Sequence, residues 1–168
     1  PAYTTMGFKD KSGKFVNKNE KLKHIISNQL ISGIEFNPTE QTRFNLEGFY
    51  KLYDNYPLSV VDGMSIAGKG TDYGQIGDEE IVSTGKGRAY GIEFSGKLIN
   101  LKKVNTALTY TLFRSEFTDK NGIYRPSNWD TRHLVNLLGN YLLPKNWTLS
   151  MRWRFVGGAP YSPIDMEL

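Results

Sequence analysis

The stretch NWDTRHLVNLLGNYLLPKNWTLSMRWRFVGGAPYSP, from Asn128 to Pro163, decides how this chain folds. It indicates two long strands joined by the short turn Pro144-Lys145-Asn146. Successive side chains of a strand point to opposite faces, so the second strand carries two distinct rows. The apolar row is Trp147, Leu149, Met151, Trp153 and Phe155, and the polar row is Thr148, Ser150, Arg152 and Arg154. A soluble sandwich would bury the apolar row, whereas a membrane barrel would turn it toward lipid.

The same two-row pattern recurs upstream and predicts about six strands in all. The five earlier strands are expected over residues 22–36, 41–53, 87–99, 104–117 and 131–143. Both rows of the last of these are apolar, so its facing stays open. A helix over residues 22–31 is an alternative to the first strand, although Gly33 and Pro38 would end it early.

The connections between these strands alternate in length. Short turns are expected at Asn37–Glu40, Asn100–Lys103 and Pro144–Asn146, and long connections at residues 54–86 and 118–130. An outer-membrane barrel has short periplasmic turns and long extracellular loops, whereas a soluble up-and-down sheet has no reason to collect its long loops at one end. The pattern therefore predicts an all-β fold, with antiparallel up-and-down strands that form part of a transmembrane β-barrel.

Aromatic side chains occur at both ends of the predicted strands. Those near the short turns are Phe36, Phe44, Tyr141 and Trp147, and those toward the long connections are Tyr50, Tyr90 and Phe155. Two such groups would form interfacial girdles. The alternative is a soluble or surface-exposed β-sandwich, a binding or adhesion module in which these rings form an ordinary core.

Composition excludes several classes of protein. No apolar run approaches the ~18 residues that a membrane-spanning helix needs. The net charge of +4 is spread along the chain among acidic residues, so nucleic-acid binding is not expected. The absence of cysteine excludes disulfides and thiolate metal sites. The chain opens Pro1-Ala2-Tyr3 without a signal peptide, so we expect a fragment, with a mature N-terminus as the alternative.

Charged side chains on the polar rows are the first candidates for a functional surface. They are Glu35, Arg43, Glu47, Lys51, Glu93, Lys97, Arg152 and Arg154. In a barrel they would face the lumen and line a substrate path. The simpler interpretation is mutual pairing that keeps the lumen hydrated.

Aromatic residues of the long connections are the candidates for first contact with a ligand, because such rings stack on sugars and on apolar ligand parts. They are Tyr56, Tyr73, Tyr124 and Trp129. The simpler interpretation is that they only pack the loops.

Neither metal chemistry nor catalysis is predicted. The acidic residues Asp72, Asp78, Glu79 and Glu80 cluster in one long connection but lack the spacing of a calcium loop. No spacing pairs His24 or His133 with a nucleophile. We therefore expect no cofactor and no enzymatic activity.

Several segments resemble a known family. The runs GKGRAYGIEFSGKL (85–98), LTYTLFRSEF (108–117), YRPSNWDTRHLVNLLGNYLL and WRFVGGAPYSP resemble the C-terminal part of the barrel of TonB-dependent outer-membrane receptors, in versions common in Bacteroidota-type bacteria. NKNEKLKHIISNQLISGIEF and TRFNLEGFYKLYDNYPLS resemble two preceding strands of such barrels. The resemblance extends from about Asn17 onward.

The resemblance implies a 22-strand barrel filled by an N-terminal plug, located in the outer membrane of a Gram-negative bacterium. Such receptors import a scarce nutrient, which is a metal chelate, vitamin, oligosaccharide or peptide, and their partners are outer-membrane lipid, the plug and TonB. Residues 1–168 would be a partial barrel without a plug, with extracellular loops at about 1–21, 54–86, 118–130 and 159–168. Six strands cannot close a barrel, because the smallest bacterial barrels use eight.

Overall fold

The fold is all-β in a computed structural model, which describes residues 8–10, 12–16, 19–69, 79–101 and 103–160. A short hairpin pairs β1 (Phe8–Lys9) with β2 (Phe15–Val16). The remaining strands are β3 (Ile26–Thr39), β4 (Thr42–Ser59), β5 (Ile81–Leu101), β6 (Val104–Thr118), β7 (Tyr124–Pro126), β8 (His133–Leu142) and β9 (Thr148–Val156).

The long strands form one antiparallel sheet in the order β3-β4-β5-β6-β8-β9, and β7 pairs with the end of β6. Each long strand lies beside its neighbour in sequence, which confirms the predicted up-and-down topology. The connections after β3 and β5 are two-residue turns, and β8 joins β9 through a 3-10 turn at Pro144–Asn146. Residues 60–80 and 119–132 make the longer connections at the opposite end of the sheet.

The register divides the sheet into two faces, because residues directly opposite each other on neighbouring strands point the same way. One row crosses the whole sheet and consists of Ile34, Leu46, Phe94, Tyr110, Val135 and Phe155. We call the face that carries this row the apolar face. The opposite face carries the polar rows and is called the charged face.

The register also decides the facing of β8, which the sequence leaves open. Asn136 lies opposite Arg154 and Leu138 lies opposite Arg152, so these two residues point toward the charged face. Val135 and Leu137 lie opposite Phe155 and Trp153 on the apolar face. Leucine therefore occurs on both faces of β8. The alternation of the neighbouring strands, and not that of β8 itself, distinguishes its apolar face from its charged face.

The long connection predicted over residues 54–86 is shorter in the structure. Residues 54–59 and 81–86 continue β4 and β5 as a paired extension. The register shift between Tyr53 and Tyr56 places an extra residue on β4, and the shift between Tyr56 and Leu58 places one on β5. Because each bulge displaces the side chains that follow by one position, the two-residue period disappears from the sequence although pairing continues.

Three smaller differences have similar causes. The turn predicted at Asn37–Glu40 lies at residues 40–41, because β3 continues through a bulge between Phe36 and Thr39. The first strand begins at Ile26, not at residue 22, and it is not a helix. Part of the predicted loop at 118–130 is β7, which folds back on Glu116–Thr118.

The apolar face has no protein cover among the described residues. Many of its large side chains are well exposed, such as Phe44 at 37% and Leu30 at 72%, whereas Phe94 and Tyr110 are half-buried between their neighbours. No second sheet packs against it in the described ranges, where a β-sandwich would place one. Helices that could span a membrane are likewise not found in the part of the chain that is described.

The buried apolar residues of the described ranges collect at the end of the sheet that carries the long connections. They are Leu58, Ile66, Ala67, Ile81 and Phe117. Most of them belong to the extensions of β4 and β5 or to residues 60–69, which fold back on the sheet. The hydrophobic core is thus a small cluster at one end, and the body of the sheet is a single layer.

Candidate transport surface

The eight charged residues predicted to share one row do share the charged face. Arg43 lies opposite Lys97, Glu47 opposite Glu93, and Lys51 opposite Ala89. Glu35 lies opposite Asn45 on β3, and Arg152 and Arg154 lie on β9. Six of the eight side chains lie on β3, β4 and β5 and the other two lie on β9, so they do not converge on one point.

Pairing among these eight side chains is partial. Arg43 Nε lies 3.7 Å from Glu35 Oε1, and both side chains are about half exposed. Such a pair contributes less than about 1 kcal/mol. Glu47 accepts a hydrogen bond from Asn45 Nδ2 at 2.7 Å, and Glu93 accepts one from Thr111 Oγ1 at 3.1 Å. The two opposed glutamates are therefore held by neutral donors on separate strands.

Arg152 and Arg154 stand apart from the other charges of this face. They lie opposite Leu138 and Asn136, and no carboxylate pairs with either guanidinium among the described residues. Both residues are exposed. The β9 side of the charged face is consequently cationic, whereas the two glutamates that accept hydrogen bonds, Glu47 and Glu93, lie on β4 and β5.

An aromatic cluster lies at the long-connection end of the charged face. The ring centroids of Tyr56 and Phe117 are 4.2 Å apart, and those of Tyr53 and Phe117 are 5.7 Å apart. Gly87 lies between Tyr53 and Phe117 in the register, and a Cβ there would collide with the Phe117 ring. The glycine provides the space into which the ring packs. Met64, Ser65 and Gly68 line a small cavity together with Phe117, which is buried.

We call residues 60–69, together with Tyr53, Tyr56 and Phe117, the cap. The cap is joined to the second long connection by two backbone hydrogen bonds. Lys120 N donates to Gly63 O at 2.8 Å, and Asn128 N donates to Ala67 O at 3.2 Å. Gly63 has a positive φ of 72°, and the Lys120 side chain lies where its Cβ would be, so this contact suits glycine.

A fully buried asparagine attaches the segment before β3 to the same end of the sheet. Asn19 Nδ2 donates to Glu79 O at 2.9 Å, and Asn19 Oδ1 accepts from Ile81 N at 3.1 Å. Its exposed fraction is 0%. Lys23 N also donates to Ser83 Oγ at 2.9 Å. Three separate parts of the chain therefore meet at this end.

Lys69 links the two ends of the cap loop electrostatically. Its Nζ lies 2.8 Å from Asp62 Oδ2 and also pairs with Glu79 Oε1. Burial alone would lower the pKa of Lys69, but hydrogen bonds to Asp62 and Glu79 outweigh burial and raise that pKa above its ordinary 10.5. Burial would raise the pKa of Asp62, yet hydrogen bonds from Lys69 and Met64 N–H hold it below 3.8. Both groups stay charged across the neutral range.

The four aromatic ligand candidates are not brought together. Tyr56 belongs to β4 and packs on Phe117, whereas Tyr124 belongs to β7 and lies under the Arg88 guanidinium, 4.1 Å from the ring centroid. Trp129 is 58% exposed. Tyr73 lies outside the described residues. Their role in ligand contact stays a prediction.

A cleft that the sequence does not predict opens between the two long connections. It has a volume of about 480 Å³. Charged and amide side chains line much of it, and these are Asp62, Asp119, Lys120, Asn121, Arg125 and Asn128. Backbone N–H groups of Ile123 and Asn121, together with Arg125, hold the pKa of Asp119 below its ordinary 3.8. The cleft is therefore mixed in charge. Residues from two loops form it, so no local pattern in the sequence could indicate it.

Metal and hydrolytic chemistry find no site in the described ranges. No group of three His, Asp or Glu side chains there could hold a metal ion. Asp72 and Asp78 of the acidic cluster lie outside those ranges, and Glu79 accepts a hydrogen bond from Ser59 Oγ at 2.6 Å. His133 Nδ1 lies 2.9 Å from the hydroxyl oxygen of Tyr110 on the apolar face. This contact orients the imidazole toward a weakly acidic phenol and not toward an activated nucleophile.

Comparison with known proteins agrees with this architecture. The family model of the TonB dependent receptor-like β-barrel matches residues 1–165. No curated protein and no solved structure shows significant similarity to the chain. The family consists of outer-membrane proteins of Gram-negative bacteria that act as transporters, not as enzymes. The match covers nearly the whole sequence, and the exposed apolar face and alternating connections fit it, so the chain belongs to the TonB-dependent receptor-like β-barrel family.

Proposed function

We propose that this chain is the C-terminal part of the barrel of a TonB-dependent receptor, of the type common in Bacteroidota, that imports a scarce nutrient. The nutrient is a metal chelate, vitamin, oligosaccharide or peptide. The apolar face contacts outer-membrane lipid, and the charged face lines the lumen, where it meets the plug and the substrate path. TonB supplies the energy from the inner membrane.

The observation that carries this proposal is the contrast between the two faces of a single-layer sheet. An apolar row that crosses six strands would destabilise the sheet if water contacted it. Contact with lipid removes this free-energy cost. The opposite face keeps charges hydrated. Family membership supports the same orientation, with the long connections and the cap at the outer surface.

The unpaired arginines of β9 are the residues most suited to a role in the lumen. Lumen substitutions tune selectivity and leave the lipid contact intact. We therefore expect that Arg152→Glu and Arg154→Glu, combined in the full-length receptor, reduce uptake or plug retention while the receptor still reaches the outer membrane in ordinary amounts. Uptake is measured with cells that depend on the receptor for its nutrient, and plug retention by protease protection of the plug.

Lys145→Glu provides the matched control, because it reverses a charge in the exposed turn between β8 and β9, away from the charged face. It should leave uptake unchanged. The lumen role is wrong if the double arginine variant imports as well as the control. The transport function itself is wrong if uptake continues after the proton gradient of the inner membrane is collapsed.

A further inference from the structure

A shallow groove lies on the apolar face near its border with the long connections. Its floor is formed by Tyr90, Ile92 and Leu112, and its volume is about 390 Å³. Ile92 lies directly opposite Leu112, and Tyr90 lies opposite Arg114. The side chains of Ile92 and Leu112 are 49% and 38% exposed, so the floor is open to whatever covers this face.

Basic and polar side chains form the rim of this groove. Arg114, Arg132 and His133 line it on the side of the long connections. His133 uses Nδ1 toward Tyr110 and, among the described residues, no hydrogen bond engages its Nε2. The groove thus combines an apolar floor with nitrogen donors at one end only.

The position of the rim matches the edge of a membrane. Val104, which pairs with Tyr141, and Arg114 lie ten positions apart on β6. That separation corresponds to about 34 Å along a strand at ~3.4 Å per residue. At the tilt of ~40° that such strands adopt, it spans about 26 Å, close to the ~25 Å apolar band of outer-membrane barrels. Tyr141 and Arg114 would therefore mark opposite borders of the band.

The charge at the rim is only partly neutralised within the protein. Arg114 lies 3.7 Å from both Glu116 and Asp130, which is too long for good hydrogen bonds. Arg132 is exposed and has no carboxylate partner among the described residues. Guanidinium groups bind phosphate through paired, charge-assisted hydrogen bonds.

We propose that this groove binds one lipid with a phosphorylated headgroup from the outer leaflet. An acyl chain covers Ile92 and Leu112, and the phosphate accepts hydrogen bonds from Arg132. The partly exposed Arg114, whose Nη1 is buried, adds positive charge beside it. This inference rests on the proposed function, because it takes the long-connection end to be the outer side of the membrane. It assigns a specific site to a surface that otherwise contacts bulk lipid.

The test uses the full-length receptor in detergent, exchanged into micelles that contain either phosphatidic acid or diacylglycerol with the same acyl chains. Retained lipid is counted by native mass spectrometry. The wild type should retain one phosphatidic acid and no diacylglycerol. Arg132→Gln should weaken retention by about tenfold or more, as expected for the loss of a charged hydrogen-bond donor. Arg154→Gln on the opposite face is the matched control and should retain lipid like the wild type.

A second variant tests the acyl part of the site separately. Leu112→Trp fills the groove while leaving the arginines in place, and it should also reduce retention of phosphatidic acid. The proposal is overturned if Arg132→Gln retains phosphatidic acid like the wild type, if diacylglycerol binds equally well, or if inorganic phosphate displaces the lipid at comparable concentration. Failure of the proposed function is seen independently, as a receptor that fractionates away from the outer membrane or lacks energy-dependent uptake.

Discussion

The cap and the body of the sheet obtain their stability from different surroundings. In the cap, Phe117 and Ile66 are about 5% exposed, and near it the buried Asn19 side chain donates to Glu79 O and accepts from Ile81 N. In the body, Ile34 and Leu30 are more than 70% exposed although their edge strand, β3, pairs along its length with β4. The cap is buried by contacts within the protein, whereas the apolar face is suited to contact with lipid.

This difference explains how one short chain can contain both a conventional core and a large exposed apolar surface. Side chains in the cap interact over long sequence distances, so a change there should loosen several segments at once. Side chains on the apolar face touch few protein neighbours besides their own strands. A change there should matter only through its interaction with the membrane.

The largest effect is expected for Phe117→Ala in the full-length receptor. Removing a buried aromatic side chain costs about 3–5 kcal/mol. The loss should appear as easier local opening of the cap, because Tyr53 and Tyr56 pack on this ring and residues 64, 65 and 68 line a cavity beside it. Hydrogen exchange of the Lys120 and Asn128 amides, which donate to the cap, measures it.

Leu46→Ala on the apolar face is the matched control for this variant, because it also truncates an apolar side chain on a central part of the sheet. It should leave exchange of the two amides within experimental error. Equal loosening of the cap by both variants would show that the two regions are not energetically separate.

The next largest effect is expected for Leu46→Arg. An arginine that faces lipid near the middle of the bilayer destabilises a barrel by about 2–4 kcal/mol. Ser95→Arg is the matched control, since Ser95 lies on the charged face of the neighbouring strand. Refolding into lipid vesicles with urea titration should show a loss of stability for Leu46→Arg alone. A similar loss from Ser95→Arg would contradict the assignment of the two faces.

The smallest effect concerns the ion pairs of Lys69. The lowered pKa of Asp62 means that its contribution is present above pH 3.8 and is lost as the pH falls through the lowered value. The raised pKa of Lys69 means that its contribution is present below pH 10.5 and is lost as the pH rises through the raised value. A spin label at Val61, which is 77% exposed, should therefore gain mobility at both extremes.

Lys69→Met should abolish the change at high pH, because no titrating ammonium remains at this position. A change at low pH should persist in part, since Asp119 in the adjoining connection also titrates below its ordinary 3.8. Lys145→Met, outside the cap, should behave like the wild type. An unaltered transition at high pH in Lys69→Met would refute the role of this lysine.

Much of the sheet could be predicted because its strands repeat with a period of two. In β5, β6 and β9 the alternating rows are nearly unbroken, and their predicted facings match the register. Eight charged residues could be assigned to one face for the same reason. The short turns follow from proline and polar residues between alternating segments.

Prediction failed where the period breaks. Bulges near Tyr56 turned a paired extension into an apparent loop, and leucines on both rows of β8 concealed its facing. Partners could not be predicted either. Nothing local to Tyr56 indicates that Phe117 will cover it, and nothing near Lys69 indicates that Glu79 will return to it, because both contacts depend on how distant segments fold back.

The alternation of Trp147, Met151 and Phe155 with Arg152 and Arg154 was sufficient to define two opposite faces, since a strand admits only one arrangement of neighbouring side chains. Assembly of the sheet was needed to align these rows across six strands and to bury Phe117 beneath residues 60–69. Backbone geometry acts between adjacent residues, so its effect can be predicted from a short segment of sequence. Burial and ion pairing act between segments far apart in sequence, so they emerge only when the chain is folded.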